Sequence, residues 1–284
     1  MASTGATALG SQGLLGDTAE RDYSRKLKLF NAFAEPELCR AIASVGIKPG
    51  MRILDAGCGT GHALRWLFQE TGHEGEVIGI DLAAAHVAAA RTQAADCARV
   101  LQADLLHVPL EPASVDLIWC VNTINHLHDP VRGIEALAPL LRPGGHIVLG
   151  QSSLLPDMYF AWDARLEQRT NEAVHRYYRE RYSLSEERVT AVRSLVGWLR
   201  RAKLRGVTVR TFVIERVAPL SAADEEYLLQ AIFQNTWGER LWPYLSEADY
   251  AELTGLCDPS SSRFALHRPD FHFLQTFTLA MGQV

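Results

Sequence analysis

Residues 52–61 read Arg52-Ile53-Leu54-Asp55-Ala56-Gly57-Cys58-Gly59-Thr60-Gly61, and this stretch decides the fold. The turn Lys48-Pro49-Gly50 feeds a short apolar run, which reads as a strand over 52–55. Glycines at 57, 59 and 61 let the chain turn sharply and let a ligand approach the backbone. A helix over 62–70 follows, ends at Gly72 and directs its first N–H groups at the same space. A second strand, 76–81, ends on Asp81, twenty residues beyond Gly61. A carboxylate there is placed to accept hydrogen bonds from ribose hydroxyls. Strand, glycine turn, helix and acid together point to a nucleotide-type ligand. A dinucleotide fingerprint would read G-x-G-x-x-G; here the spacing is G-x-G-x-G.

Strand and helix keep alternating downstream. An Ala-rich helix over 83–95 precedes a third strand, 99–102. The fourth strand, 115–121, is nearly all apolar, as a central strand covered on both faces should be. Asp129 can cap the next helix, Pro130 suits its first turn, and Arg142-Pro143-Gly144-Gly145 is expected to end it. The fifth strand is 146–150. Such a series with short connections implies a parallel sheet with helices on both faces.

Upstream, 17–47 reads as helical through Leu27, Phe30, Phe33 and Leu38, with Pro36 expected to break the run in two. After Gln151 the pattern changes. Residues 154–182 hold Tyr159, Phe160, Trp162, Tyr177, Tyr178 and Tyr182 among many charges. Ser183 with Glu186 fits a capping box opening an amphipathic helix that carries Val189, Val192, Leu195, Val196 and Leu199. Sixth and seventh strands are expected over 207–217 and 271–281, enclosing an insert with capped helices near Ser221 and Ser246. The expected division is a tail (1–16), a helical lid (17–50), a ligand-binding core (51–153) and the rest of the sheet (154–284). Inserts at 154–182 and 221–268 are expected to cap the acceptor side.

The bulk numbers exclude several classes. With 48% hydrophobic residues in a 284-residue chain, a sizeable core can be buried. A formal net charge of −5 argues against a dedicated nucleic-acid binder. The five cysteines stand far apart, with no CxxC and no Cys/His cluster, so neither a disulfide framework nor a metal site is expected. The tail lacks the charged and apolar regions of a secretory signal. No apolar run reaches the roughly 18 residues of a membrane span. A cytoplasmic protein is expected.

With these residues assembled, the chain resembles the class I S-adenosylmethionine (SAM)-dependent methyltransferases over about residues 20–150. The match lies in 53–61, in Gly79-Ile80-Asp81, in Ala103-Asp104, in Ser114-Val115-Asp116-Leu117-Ile118 and in Leu141-Arg142-Pro143-Gly144-Gly145. The resemblance implies a Rossmann-like sheet of seven strands, mostly parallel with an antiparallel last strand, and SAM as cofactor, released as S-adenosylhomocysteine. It also implies roles by position. Gly57, Cys58, Gly59 and Gly61 would line the methionine and ribose part, with Asp55 near the methionine ammonium. Asp81 would hold the ribose, with Leu82 flanking the adenine. Asp104 would meet the adenine amino group beside Leu105, and Asn122 would accept the ammonium through its backbone carbonyl. Tyr23 and Phe30 sit in the stretch that closes over the cofactor in such enzymes.

Methyl transfer from a sulfonium is an in-line displacement, so alignment and exclusion of water are the main tasks. A hydroxyl acceptor also benefits from a general base. The candidates are His126 and His128, in the segment leaving the fourth strand; many small-molecule methyltransferases carry a His-His pair there, and Asn125-His126 matches it only at His126. His175 shares its segment with Arg169, Arg176 and Arg179, which reads first as a solvated basic face. Trp162, Trp237 and Trp242 fall in the inserts and suit an aromatic acceptor or the inserts' own core. Arg165, Arg169 and Arg179 raise a carboxylate-bearing acceptor. Asn122-Thr123-Ile124-Asn125 replaces the Asn/Asp-Pro-Pro-Tyr of adenine and glutamine methyltransferases, and only Cys257 is available for arsenite chemistry. O-methylation of a small molecule is the leading expectation, ahead of N- or C-methylation. A SAM-binding protein without methyl transfer, a cyclase or binding partner, stays open, as does a homodimer.

Overall fold

The computed structural model describes residues 24–153, 159–160, 163–182 and 190–284. Its strands are β1 (Arg52–Ala56), β2 (Glu76–Asp81), β3 (Arg99–Gln102), β4 (Val115–Val121), β5 (Leu141–Ser152), β6 (Tyr159–Phe160), β7 (Arg205–Val217) and β8 (His272–Gln283). They form one sheet in the order β3-β2-β1-β4-β5-β8-β6, with β7 also paired to β8. Strands β1 to β5 run parallel, while β8 is antiparallel to β5, β6 and β7. The antiparallel last strand is therefore as expected. The two-residue β6 is an eighth strand, too short to stand out in the sequence.

Apolar alternation in the central strands sends side chains to two cores. Ile53, Val77, Leu117, Trp119 and Val148 meet helices α1 (Ser24–Ala43), α2 (His62–Thr71) and α3 (Ala84–Gln93) on one face. Leu54, Ile78, Ile118, Cys120 and Ile147 meet α4 (Pro130–Leu137) and α6 (Leu195–Arg201) on the other. α5 (Ala164–Tyr182), α7 (Ala222–Tyr227) and α8 (Glu247–Cys257) belong to the inserts. Caps predicted from the sequence are present. Asp129 accepts from the Arg132 N–H with Pro130 in the first turn, Ser221 and Asp224 form a capping box, and Ser246 accepts from the Asp249 N–H.

Two boundaries differ from expectation. α1 runs unbroken through Pro36. Proline removes one intrahelical bond and loosens nearby carbonyls, and the Arg216 guanidinium donates to one of these, the Phe33 carbonyl. The second difference is at the Pro-Gly-Gly turn. α4 ends at Leu137, a 3-10 turn follows, and β5 already begins at Leu141. Pairing jumps from Val115↔Leu141 to Leu117↔His146, so 142–145 bulge out within the strand and do not terminate the helix. The capping box at Ser183 lies outside the described residues, as do the 1–16 tail and Trp162.

Candidate functional site

The parallel strands end on one edge of the sheet, and the chemistry-bearing residues collect there. Asp55 lies in β1, with the glycine loop directly after it. Gly57 has φ 89° and Gly61 φ 86°, a region that favours glycine. Space demands it too. A Cβ on Gly57 would collide with the Thr123 side chain, and one on Gly61 would lie 2.8 Å from Ala90 Cα in α3. Four of the loop's N–H groups are committed within the protein. Gly57 and Cys58 both donate to the Ile80 carbonyl, at 2.8 and 2.9 Å, and Gly61 donates to the Cys58 carbonyl at 2.9 Å. The Gly59 N–H donates to Asp81 Oδ2 at 2.9 Å. A phosphate cradle would need these donors free, so this loop does not present one.

What the crevice presents is negative charge. Asp55 is 2% exposed, and its Oδ2 has no hydrogen-bond partner. Burial and then the nearby Asp81 charge raise its pKa to about 8. A buried carboxyl oxygen with nothing to accept from is stabilised by a cation. The same surroundings, burial first and then Asp55 and Asp81, push the Cys58 thiol well up, so it stays a neutral packing group. Asp81 closes β2; Oδ1 accepts from the Ala83 N–H at 2.9 Å and meets His86 Nδ1 at 3.2 Å. Asp104 follows β3 and accepts from the Leu106 N–H at 2.9 Å. The Leu82 carbonyl accepts from Gln102 Nε2 at 3.0 Å, and Leu105 is buried in the second core. Carboxyl groups at Asp55, Asp81 and Asp104, beside a loop with four of its donors committed, fit the ammonium, sulfonium and ribose of SAM.

After β4, Asn122 adopts φ 50° and its Oδ1 accepts from the Ser152 N–H at 2.8 Å and Ser152 Oγ at 3.0 Å. That side chain ties β4 to β5, and the Asn122 N–H adds a bond to the Gly150 carbonyl at 2.8 Å. His126 closes the 3-10 turn Ile124–His126, where its N–H donates to the Thr123 carbonyl at 2.9 Å. His126 is half-buried, whereas His128 is exposed beside the helix cap.

Several residues near the site carried no sequence signal. Leu27 of α1, one turn before Phe30, reaches the loop; a Cβ on Gly59 would lie 3.0 Å from its Cδ1. Phe30 is buried in the core, its ring 6.0 Å from that of Tyr227, and Tyr23 lies outside the described residues. Thr123 lies over Gly57 and donates to the Val121 carbonyl at 2.8 Å. Asn125 Oδ1, after β4, and Gln151 Oε1, in the last turn of β5, are buried without hydrogen-bond partners. His86 was legible in principle, since it falls in the first turn of the helix that follows Asp81.

In the inserts, Arg165 Nη1 and Arg169 Nη1 bind the Asp249 carboxylate at 2.6 and 2.5 Å, and Arg165 also reaches Glu252 at 3.0 Å. Two of the three arginines that raised a carboxylate-bearing acceptor thus already have carboxylate partners within the protein. Trp237 is buried against Phe233, and Trp242 is exposed beside Tyr250. Among the described residues no group of three or more His, Cys, Asp or Glu could hold a metal ion. No described helix is long and apolar enough to cross a membrane.

Comparison with known proteins agrees with this geometry. Residues 54–149 match the family model described as a methyltransferase domain. The malonyl-[acyl-carrier protein] O-methyltransferase of Pectobacterium atrosepticum is 31% identical over 228 residues, covering 70% of this chain and 85% of that protein. A 37.1 kDa transposon-borne protein of Streptomyces fradiae is 30% identical, and there the match covers 53% of this chain and 44% of the relative. The chain thus spans less than half the length of some curated relatives. A SAM-dependent methyltransferase structure from Aquifex aeolicus has the same fold, with TM-score 0.50 and 22% identity over 68% of this chain and 92% of that one. The chain belongs to the class I, Rossmann-like family of SAM-dependent methyltransferases.

Proposed function

We propose that this protein transfers the methyl group of SAM to an oxygen of a small-molecule acceptor, and that a hydroxyl is the favoured acceptor. The observation that carries the donor half is the partnerless Asp55 oxygen in a crevice whose loop donors are already committed. When bound, SAM supplies a methyl group on a positively charged sulfur. Asp55 would meet the methionine ammonium, joined by the backbone carbonyl of Asn122. Asp81 would receive the ribose and Asp104 the adenine amino group, with Leu82 and Leu105 beside the ring. Leu27 and Thr123 would close the loop from above and exclude water, which matters because a displacement is accelerated chiefly by alignment in a dry site.

On the acceptor side, His126 would take the hydroxyl proton as the new O–C bond forms. It is half-buried at the carboxyl end of β4, while His128 is exposed and beside a helix cap. Oxygen is favoured because the Pectobacterium relative bears the name of an O-methyltransferase, as does a ubiquinone-biosynthesis relative from Aeromonas salmonicida. A hydroxyl is favoured over a carboxylate because Arg165 and Arg169 are bound to Asp249. The inserts at 154–182 and 221–268 would wall the acceptor. The test is incubation with methyl-labelled SAM and a panel of phenols, aliphatic alcohols, carboxylic acids and amines. Label in a hydroxyl product with matching S-adenosylhomocysteine is expected; no labelled product from any acceptor would count against transferase activity. His126→Gln should lower kcat about 100-fold or more with SAM affinity nearly unchanged. Unchanged kcat would remove His126 from the role.

A further inference from the structure

The Asp81 carboxylate is held by three donors, and one of them is a side chain. Oδ2 accepts from the Gly59 N–H at 2.9 Å, and Oδ1 accepts from the Ala83 N–H at 2.9 Å. The third is His86 Nδ1, 3.2 Å from Oδ1. An ionised carboxylate only accepts, so the imidazole holds its proton on Nδ1 and donates. Both side chains are largely enclosed, 9% exposed for His86 and 13% for Asp81. The two backbone donors come from the glycine loop and from the turn into α3. His86 comes from the first turn of α3 and joins the helix itself to the carboxylate. A carboxylate offers about four acceptor positions. With three filled, the outward one left is on Oδ2, beside the loop where the ribose would lie.

We infer that His86 is a positioning residue for cofactor recognition: its Nδ1–H holds the Asp81 carboxylate so that one oxygen stays presented to a ribose hydroxyl. This rests on the proposed role of Asp81 as the ribose ligand. His86 itself touches neither methyl group nor acceptor. The two backbone donors hold one carboxylate oxygen each, and His86 adds the side-chain donor that ties Oδ1 to α3; losing it loosens the carboxylate and weakens the directional, charge-assisted bond that selects a hydroxylated sugar.

The test compares binding of S-adenosylhomocysteine with that of its counterpart lacking both ribose hydroxyls, by calorimetry on the full chain and without turnover. The wild type should prefer the hydroxylated ligand by about tenfold or more, the worth of a hydrogen bond to a charged group. His86→Leu keeps the bulk and removes the donor; the preference should fall to about twofold, with affinity for the dihydroxy-free ligand little changed. In His86→Asn the side-chain amide can take the place of the Nδ1 donor, and the preference should return. If the Leu variant fails to fold, His86→Phe against His86→Asn makes the same comparison. Equal loss of affinity for both ligands, with the preference intact, would reduce His86 to a packing residue and overturn the inference. Failure of the wild type to bind S-adenosylhomocysteine at all would instead overturn the donor assignment, and this inference with it.

Discussion

In the proposed site, Asp55 would join stability and ligand binding in one side chain. Its carboxyl is raised from 3.8 to about 8 by burial and by Asp81. Between these values the folded protein keeps a proton that the unfolded chain has released. Stability therefore declines as pH rises from about 4, and the loss levels off above about 8. Asp55→Asn removes this penalty. Its melting temperature should gain on the wild type as pH rises, by about 7 °C more at pH 8.5 than at pH 5, while SAM affinity falls. An equal offset at both pH values would contradict the assignment. A cation bound beside Asp55 lowers its pKa, so SAM binding near pH 7 should release a proton. Calorimetry in buffers of different ionisation enthalpy checks this, and buffer-independent heats would count against it. At this scale the sequence was legible where structure is local. Asp55, Gly57, Gly61 and Asp81 sit in a strand–turn–helix–strand segment whose spacing places them at one end of the sheet. Leu27 and Thr123 reach the loop from distant segments, and no local pattern marks them.

Among the elements, α1 is anchored by charge toward one end. Near its C-terminal half, Arg216 pairs with Glu37 at 3.0 Å and with Asp224 at 2.8 Å, all three side chains at most 15% exposed. Phe33 stacks on Tyr227 at 4.2 Å on the same side. α1, β7 and the start of α7 thus share one cation. Arg216→Met leaves two enclosed carboxylates without their partner and should cost about 2–3 kcal/mol, slightly under a fully buried pair because some solvent reaches the guanidinium. Urea denaturation reads the loss, and an unchanged midpoint would show the network to be dispensable. Arg216→Lys should recover part of it, since an ammonium cannot bridge both acids in the planar geometry of a guanidinium. The helix spacing of α1 was legible; its continuity through Pro36 was not, because the compensating donor comes from β7. The π-helix Leu228–Thr236 that follows α7 was equally hidden, for its apolar residues fit an ordinary helix as well.

At the scale of the whole molecule, two inserts separated by a strand meet through charge. Asp249 of α8 is held by Arg165 and Arg169 of α5 and accepts from Ser246 Oγ at 2.7 Å. The Ser246 hydroxyl and the two guanidinium groups hold its carboxyl well below the usual range. The stabilisation is therefore present throughout neutral pH and is lost only in strong acid. Asp249→Asn should loosen the inserts before the core. Limited proteolysis should cut within 163–182 several-fold faster than in the wild type, with the main unfolding transition little moved. Uniform protection would mean that apolar packing alone joins the inserts.

The sequence by itself determined the parallel core, its strand ends and the identity of the methyl donor. The core and its strand ends depend on short-range periodicity, on glycines that a turn requires and on an acid at the end of the next strand, and the methyl donor follows from the resemblance that these motifs carry. Tertiary structure alone decided three other things. It committed the Gly57, Cys58 and Gly59 N–H groups to Ile80 and Asp81, which favours a cation over a phosphate in the crevice. It paired Arg165 and Arg169 with Asp249. It also brought Leu27 to the loop in place of Phe30. Each of these is a contact between segments far apart in the chain, and hydrogen-bond and charge partners at that distance are set by packing, to which periodicity and spacing are blind.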